Sequence, residues 1–160
     1  MALELTSTGF ARGEPIPVAH TCDGHDTHPP LAWTGVPATA KSLALIVDDP
    51  DAPDPDAPTH TFVHWVLYDI PAATTGLPAT ESVSAGRARD GVNDRKQRGY
   101  TGPCPPVGRH RYFFKLYALD TILGDLHGPT KAQLEDAMRG HVIEHAELVG
   151  TYARAKAGAK

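Results

Sequence analysis

Two short apolar runs separated by a rigid acidic bend most constrain how this chain can fold. Residues 42–47 and 62–68 are rich in β-branched and aromatic side chains and are bounded by chain breakers, a pattern typical of buried strands. The bend between them holds five aspartates and four prolines from Asp48 to Pro58. Because proline fixes φ and has no N–H, we expect a stiff loop that holds its carboxylates in place.

The composition predicts one ordinary globular domain. The chain has 160 residues, of which 41% are hydrophobic and 21% charged, and its formal net charge is −4. One core serves a chain of this size, and the acidic balance argues against nucleic acid bound through a basic face. No apolar run approaches the roughly 20 residues that span a bilayer, and no signal peptide is visible. We therefore expect a cytoplasmic protein without a membrane span.

The distribution of breakers favours a loop-rich β protein, because fifteen prolines and fifteen glycines fall between the apolar runs. A third strand is predicted over residues 112–119 and a closing strand over 146–152. The polar second half of residues 69–98 predicts a mobile surface connection. We expect residues 1–152 to form a single domain and 153–160 a flexible tail.

One helix is predicted near the C-terminus. Thr130 and Gln133 form a capping-box pattern at its start. Apolar and histidine side chains then recur at helical spacing. This predicted face consists of Leu134, Ala137, Met138, His141, Val142 and His145.

The second apolar run begins with histidines that could serve a site. Alternate residues of a regular strand share a face, so His60, Phe62 and His64 are expected to point the same way. The opposite face would then carry Val63, Trp65 and Leu67.

A second set of polar residues precedes the third strand. His110 and Tyr112 also share a face, and they can reach the same end of the sheet as His64. Imidazole and phenol groups can together hold an anion, while Asp49 or Asp51 fixes a histidine tautomer or accepts a hydrogen bond from a bound hydroxyl.

The cysteines leave several alternatives open. Cys22 and Cys104 lie far apart in the chain and outside any CxxC pair, so in a cytosolic protein we expect them to be reduced, whereas an oxidising compartment would allow a disulfide. Cys104, His110 and Asp49 could form a thiol nucleophile, its base and an orienting group. Cys104 lies between prolines, away from a helix N-terminus that would lower its thiol pKa, so we favour a non-enzymatic protein.

Metal sites are the remaining alternative, which would allow a metal-dependent hydrolase. His60, His64 and His110 with an aspartate would suit zinc. A second group of possible ligands is His20, Cys22, His25 and His28. We expect a hydrogen-bonded pocket and an incidental loop instead, with no metal and no cofactor.

Several motifs in a fixed order resemble the phosphatidylethanolamine-binding protein family. They are Asp49-Pro-Asp-Ala-Pro53, His64-Trp65, Gly102-Pro-Cys-Pro-Pro106 and His110-Arg-Tyr112. Similar segments extend over nearly the whole chain. The nearer match is the bacterial and archaeal branch, often called Raf-kinase-inhibitor-like proteins.

The resemblance implies a mainly β fold, an antiparallel β-sandwich with a short C-terminal helical element. It also implies a shallow pocket for small anions and phosphorylated head groups such as that of phosphatidylethanolamine, kept stiff by its prolines. The implied ligand-binding residues are Asp49, Pro53, His64, Gly102, Cys104, Pro105, Pro106, His110 and Tyr112, with Asp51 and Trp65 in support.

Members of the family bind and modulate partner proteins such as kinases or proteases, so the resemblance implies a protein partner, and it also allows a homodimer. Kinase inhibition does not transfer to this chain on pocket residues alone, because a shared fold does not fix the partner. The chain also departs from the family pattern at residues 107–109, a short connection, and at residues 91–98, which lack an aromatic residue. These departures predict either that Arg109 lies nearer the anion or that the mouth is more open.

Overall fold

Two antiparallel sheets form the framework of the protein in a computed structural model that describes residues 2–78 and 88–154. The strands are β1 (Glu4–Thr6), β2 (Leu31–Thr34), β3 (Ser42–Ala52), β4 (His60–Pro71), β5 (Gly76–Leu77), β6 (Arg89–Asp90), β7 (His110–Leu119) and β8 (Val142–Tyr152). The smaller sheet has the order β1-β2-β5 and the larger β6-β4-β3-β7-β8. One α-helix, α1 (Lys131–Met138), and a 3₁₀ turn at Val18–His20 complete the described elements. The predicted β-sandwich with a short C-terminal helix is confirmed.

Strand β3 is apolar throughout its first half because it is covered on both faces. Leu45 and Val47 pack in the core that the two sheets share. Ala44 and Ile46 pack on the other side, in a cluster that includes Leu134 of α1. A strand buried on both faces shows a continuous apolar run instead of alternation.

The predicted acidic bend is shorter than expected, because β3 continues to Ala52. Asp48 pairs in register with Phe113 of β7, so the first aspartates belong to the sheet. The burial of the Asp48 carboxylate is offset by two cations, since Lys115 and Lys131 lie 3.1 Å and 2.9 Å from it. Buried carboxylates are stable in a sheet only when they are paired in this way.

Helix α1 begins as predicted and ends earlier. Thr130 caps it in a capping box with Gln133. Gly140 adopts φ +83°, in the left-handed region that favours glycine, just after the helix ends at Met138. The prediction of a helical face as far as His145 is therefore wrong. His141 follows the helix, and β8 contains both Val142 and His145.

Residues 79–87, within the predicted mobile connection, and 155–160 of the predicted tail lie outside the described residues. The connection is ordered by hydrogen bonds over residues 88–98, where Asn93 is buried. At the end of the described chain, Arg154 forms an ion pair with Asp23. No helix in the described part of the chain is long and apolar enough to cross a membrane.

Phe113 and Phe114 are neighbours in β7 that face opposite sides of the sheet, so replacing each of them tests the packing of the sandwich. Phe114 is fully buried between the sheets, whereas Phe113 is half-buried on the outer face beneath Arg111 and Lys115. We expect Phe114→Ala to lower the free energy of unfolding by about 3–5 kcal/mol and Phe113→Ala by about 1 kcal/mol. Urea denaturation measures both, and equal losses would contradict this division of faces.

Candidate ligand-binding pocket

A cavity of about 200 Å³ opens where the end of β3, the start of β4 and the start of β7 meet two loops. Most of the predicted site residues line it. The lining residues are Asp49, Ala52, Pro53, His60, Phe62, His64, Arg95, Cys104, Pro105, Pro106, His110 and Tyr112. The Ala52–Pro53 peptide at its edge is cis.

A β-bulge directs His64 into this cavity. In the register of β3 with β4, Val47 pairs with Trp65 and Asp48 with Val63, so His64 is the extra residue. Beyond the bulge Trp65 joins the core between the sheets, while Val63 packs in the cluster that contains α1. The expectation that Val63 and Trp65 share a face is wrong, because a bulge shifts the alternation of the strand.

The tautomer of His64 is fixed by the backbone. Its Nδ1 lies 2.8 Å from the carbonyl oxygen of Thr101 and must donate to it, while the Thr101 N–H donates to the His64 carbonyl. Burial lowers the pKa of His64 to about 4. The imidazole is therefore neutral near pH 7, and its Nε2, which no described residue hydrogen-bonds, carries a lone pair.

His110 is held from both ring nitrogens. Its Nε2–H donates to the carbonyl oxygens of Pro53 and Val107 at 3.0 Å and 2.9 Å. Its Nδ1 lies 2.6 Å from Asp49 Oδ2, so the two groups share a proton. Burial raises the pKa of the Asp49 carboxyl, against the opposing effect of the His110 hydrogen bond. His110 lines the cavity but has no N–H left for a ligand.

Tyr112 also lines the cavity. Its ring lies 5.2 Å from that of His64, edge to face, and it is only 1% exposed. The hydroxyl has no hydrogen-bond partner among the described residues, and burial raises the phenol pKa. The phenol therefore stays protonated and can donate to a ligand.

Arg95 is a charged lining residue that the sequence analysis missed. Asn93 Oδ1 accepts from the Arg95 N–H and Asp94 Oδ2 from the Val63 N–H, so the loop is anchored to β4. The Asn93-Asp94 pair is typical of a tight turn and was the available signal. Arg109 donates instead to Thr151 Oγ1 and does not line the cavity.

Ala52, Phe62 and His60 also line the cavity, although the predicted ligand-binding residues did not include them. The sequence analysis had placed His60 and Phe62 on the face of His64, and Ala52 and Phe62 supply apolar wall. His60 is exposed at the rim, with Nδ1 3.0 Å from Thr59 Oγ1.

Three of the predicted site residues, Asp51, Trp65 and Gly102, lie outside the lining of the cavity. Asp51 accepts three hydrogen bonds from Arg111, which lower its pKa. Trp65 stacks on His28 with ring centroids 4.8 Å apart, beneath the site.

Gly102 is a glycine for packing reasons. Its N–H donates to Asp26 Oδ1 at 2.7 Å. A Cβ at this position would lie 2.5 Å from the His20 carbonyl oxygen, closer than any side chain allows. The residue therefore lets the loop that carries Cys104 pack against the 3₁₀ turn.

The cysteines form a disulfide, so the expectation of reduced thiols is wrong. Cys22 and Cys104 are joined with an S–S distance of 2.05 Å. The loops that carry them lie together without the bond, since the Cys22 N–H donates to the Pro103 carbonyl. The hypothesis of a Cys104 nucleophile is excluded in this oxidised state, because a disulfide sulfur is not a thiolate.

The two metal sites considered as alternatives are not formed by the described residues. Among these residues, no group of histidine, cysteine and carboxylate side chains is arranged to hold an ion. His20 Nδ1 and His28 Nδ1 both donate to backbone carbonyls. Cys22, from the same loop, is part of the disulfide.

Comparison with known proteins identifies what the chain is similar to. Residues 6–153 match the family model described as phosphatidylethanolamine-binding protein. A UPF0098 protein of Methanothermobacter thermautotrophicus is 52% identical over 157 residues, which cover 95% of this chain and 99% of that protein.

Solved structures give the same result. A phosphatidylethanolamine-binding protein homologue from Chlamydia trachomatis, CT736, superposes with a TM-score of 0.89 at 43% identity, covering 96% of this chain and 99% of that one. Escherichia coli YbcL, described as a member of the mammalian PEBP family, has a TM-score of 0.84 at 32% identity, covering 97% and 100%.

The disulfide is tested by thiol counting and by stability. We expect no free thiol in the unfolded, unreduced protein and both cysteines to react after reduction. The double variant Cys22→Ser/Cys104→Ser should lose about 2–4 kcal/mol of unfolding free energy, since the unfolded chain is no longer cross-linked. Reductant should destabilise the parent equally and leave the double variant unchanged, and a loss in both would contradict this explanation.

Burial of His64 predicts instability in acid. Its pKa is about 4 in the folded protein against 6.5 ordinarily, so below pH 6.5 the unfolded chain binds the proton first. Stability should fall between pH 6.5 and 4, by an amount on the order of 3 kcal/mol from this group. Urea denaturation across this range should show a shallower decline for His64→Asn. His60→Asn, in the exposed part of the same strand, should retain the parent profile.

Proposed function

The chain belongs to the phosphatidylethanolamine-binding protein family, and from that premise we propose that it is a non-enzymatic binding protein whose cavity holds a phosphate-like anion. The observation that carries the proposal is that His64, Tyr112 and Arg95 line one cavity, while His64 Nε2 and the Tyr112 hydroxyl have no hydrogen-bond partner among the described residues. Buried polar groups normally have partners, so these favour a ligand that supplies them.

The chemistry of these groups suits a phosphate. Arg95 offers positive charge and several donors in a planar fork. Tyr112 offers a hydroxyl donor, and His64 offers a nitrogen that accepts or takes up a proton. A phosphate group carries oxygens in a tetrahedral arrangement and can meet all of these side chains together.

The walls favour a ligand with an organic part as well. Phe62, Pro105, Pro106 and the disulfide sulfur of Cys104 make much of the lining apolar. A small apolar cavity with a few placed polar groups is the usual form of a ligand site. The shared chemistry is a phosphate group, supplied either free or as part of a phosphorylated head group.

Binding without catalysis is favoured by how the reactive groups are engaged. Cys104 is in a disulfide, and Asp49 and His110 are hydrogen-bonded to each other and to the backbone. Covalent catalysis needs a nucleophile as well as a base, and although His64 Nε2 is a free base in the cavity, the oxidised Cys104 offers no thiolate for it to activate. In this role Asp49 and His110 position the walls and do not react.

The remaining parts of the proposal concern a protein partner, the oligomeric state and the cellular location. A protein partner, such as a kinase or protease, and a homodimer stay predictions, and sedimentation of the purified protein tests the dimer. The cytoplasmic location also stays a prediction. Since disulfides persist mainly in oxidising compartments, counting free thiols in protein taken directly from cells would test it.

The proposal predicts that Arg95, and not Arg109, contributes to the affinity for anions. In NMR titrations with inorganic phosphate and with phosphoethanolamine, Arg95→Gln should weaken binding roughly tenfold, because a hydrogen bond to a charged group is lost. Arg109→Gln is the matched control and should bind as the parent does, because Arg109 contacts Thr151 instead. Tighter binding of phosphoethanolamine than of inorganic phosphate would identify a head group as the source.

The same titrations can contradict the assignment of anion binding to this cavity. Chemical shifts should change at His64 and Tyr112, and His64→Ala should abolish most of the affinity. Equal weakening by the Arg95 and Arg109 variants would indicate general attraction of anions to positive charge instead of binding in this cavity.

A further inference from the structure

The cavity has little fixed positive charge for a doubly charged anion. Arg95 is the permanent cation among the lining residues that the structure describes. Asp49 and His110 share a proton at 2.6 Å, so as a pair they add no net positive charge. A single cation balances a single negative charge more completely than a double one.

The hydrogen-bonding groups point to the same ligand form. Thr101 fixes the proton of His64 on Nδ1, so Nε2 is an acceptor. A fully deprotonated phosphate or a sulfate has only acceptor oxygens and would face this lone pair with another. A phosphate that retains one proton has a hydroxyl that can donate to it.

We infer that the cavity takes a phosphate group in its singly charged, protonated form, with the phosphate hydroxyl donating to His64 Nε2 and a phosphate oxygen accepting from Tyr112 Oη. This inference rests on the proposed function and specifies which form of the ligand is bound. The number of protons taken up on binding does not depend on whether this proton stays on the phosphate or moves to His64. In both cases the complex holds one proton more than the free dianion and the neutral imidazole together.

The surroundings of His64 contain other groups that titrate or carry charge. Asp48 and Asp49 lie on β3, Asp94 and Arg95 on the loop after β6, and His110 and Tyr112 on β7. Asp48 is paired with lysines and Asp94 with a backbone N–H. His60, which is exposed at the rim, is the other histidine whose protonation could add charge, and it needs a control.

Proton uptake on binding is the direct test. Calorimetric titration of the parent protein with phosphoethanolamine at pH 7.5, in buffers of different ionisation enthalpy, should show uptake of about one proton per complex. The affinity should fall roughly tenfold per pH unit above the second pKa of a phosphate monoester, which is about 6. No uptake and a flat pH profile would overturn the inference while leaving anion binding intact.

Sulfate provides an independent test, because it has the same shape but carries no proton in this pH range. At pH 6 we expect sulfate to bind at least roughly tenfold more weakly than inorganic phosphate, since a site that accepts a hydrogen bond rejects an analogue without the donor. Equal binding of sulfate and phosphate would overturn the inference. Failure of all these anions to bind between pH 5.5 and 8.5 would overturn the proposed function, and this inference with it.

Variants assign the effect to His64. His64→Gln has an amide that can turn its N–H toward an anion, so it should lose both the proton uptake and the preference for phosphate over sulfate. His60→Asn alters a residue at the rim of the cavity, and whatever its effect on the overall affinity, the proton uptake should persist. Loss of the pH dependence in this variant would assign it to His60 and overturn the inference. Circular dichroism and melting curves check that each variant is folded, and the tests on the parent protein stand without them.

Discussion

The hydrogen bonds of His110 join the segments from which the pocket is built. Asp49 at the end of β3 shares a proton with Nδ1, while the carbonyl groups of Pro53 and Val107 accept from Nε2. A single buried ring thus holds the acidic bend against the connection that precedes β7. The position of the cavity walls depends on this ring, because the prolines stiffen each loop locally but cannot fix one loop relative to the other.

The sequence predicted much of the fold because its signals were local and strong. Residues 42–47, 62–68 and 112–119 all lie in strands, and Thr130 begins the helix. Ordered motifs also led to most of the residues that line the cavity. The order and spacing of these motifs are visible in the sequence itself, so the family resemblance was enough to identify these residues.

What the sequence did not reveal depends on how segments pair in space. The bulge at His64 appears only in the register of β4 against β3, and Arg95 reaches the cavity because Asn93 turns its loop. The sequence also did not show which polar groups remain free to hydrogen-bond a ligand. His110 and His64 looked equivalent as anion donors, yet the first is fully engaged by protein groups and the second presents a lone pair.

The disulfide between Cys22 and Cys104 encloses β2 through β6 in one covalent loop. A backbone break anywhere within that loop leaves both pieces joined through sulfur, so a single cut there does not separate the chain into two molecules. The pocket wall at Cys104 would likewise stay attached to the 3₁₀ turn near Cys22 in the nicked molecule. The bond therefore makes the site tolerant of damage to the connection that separates its two halves.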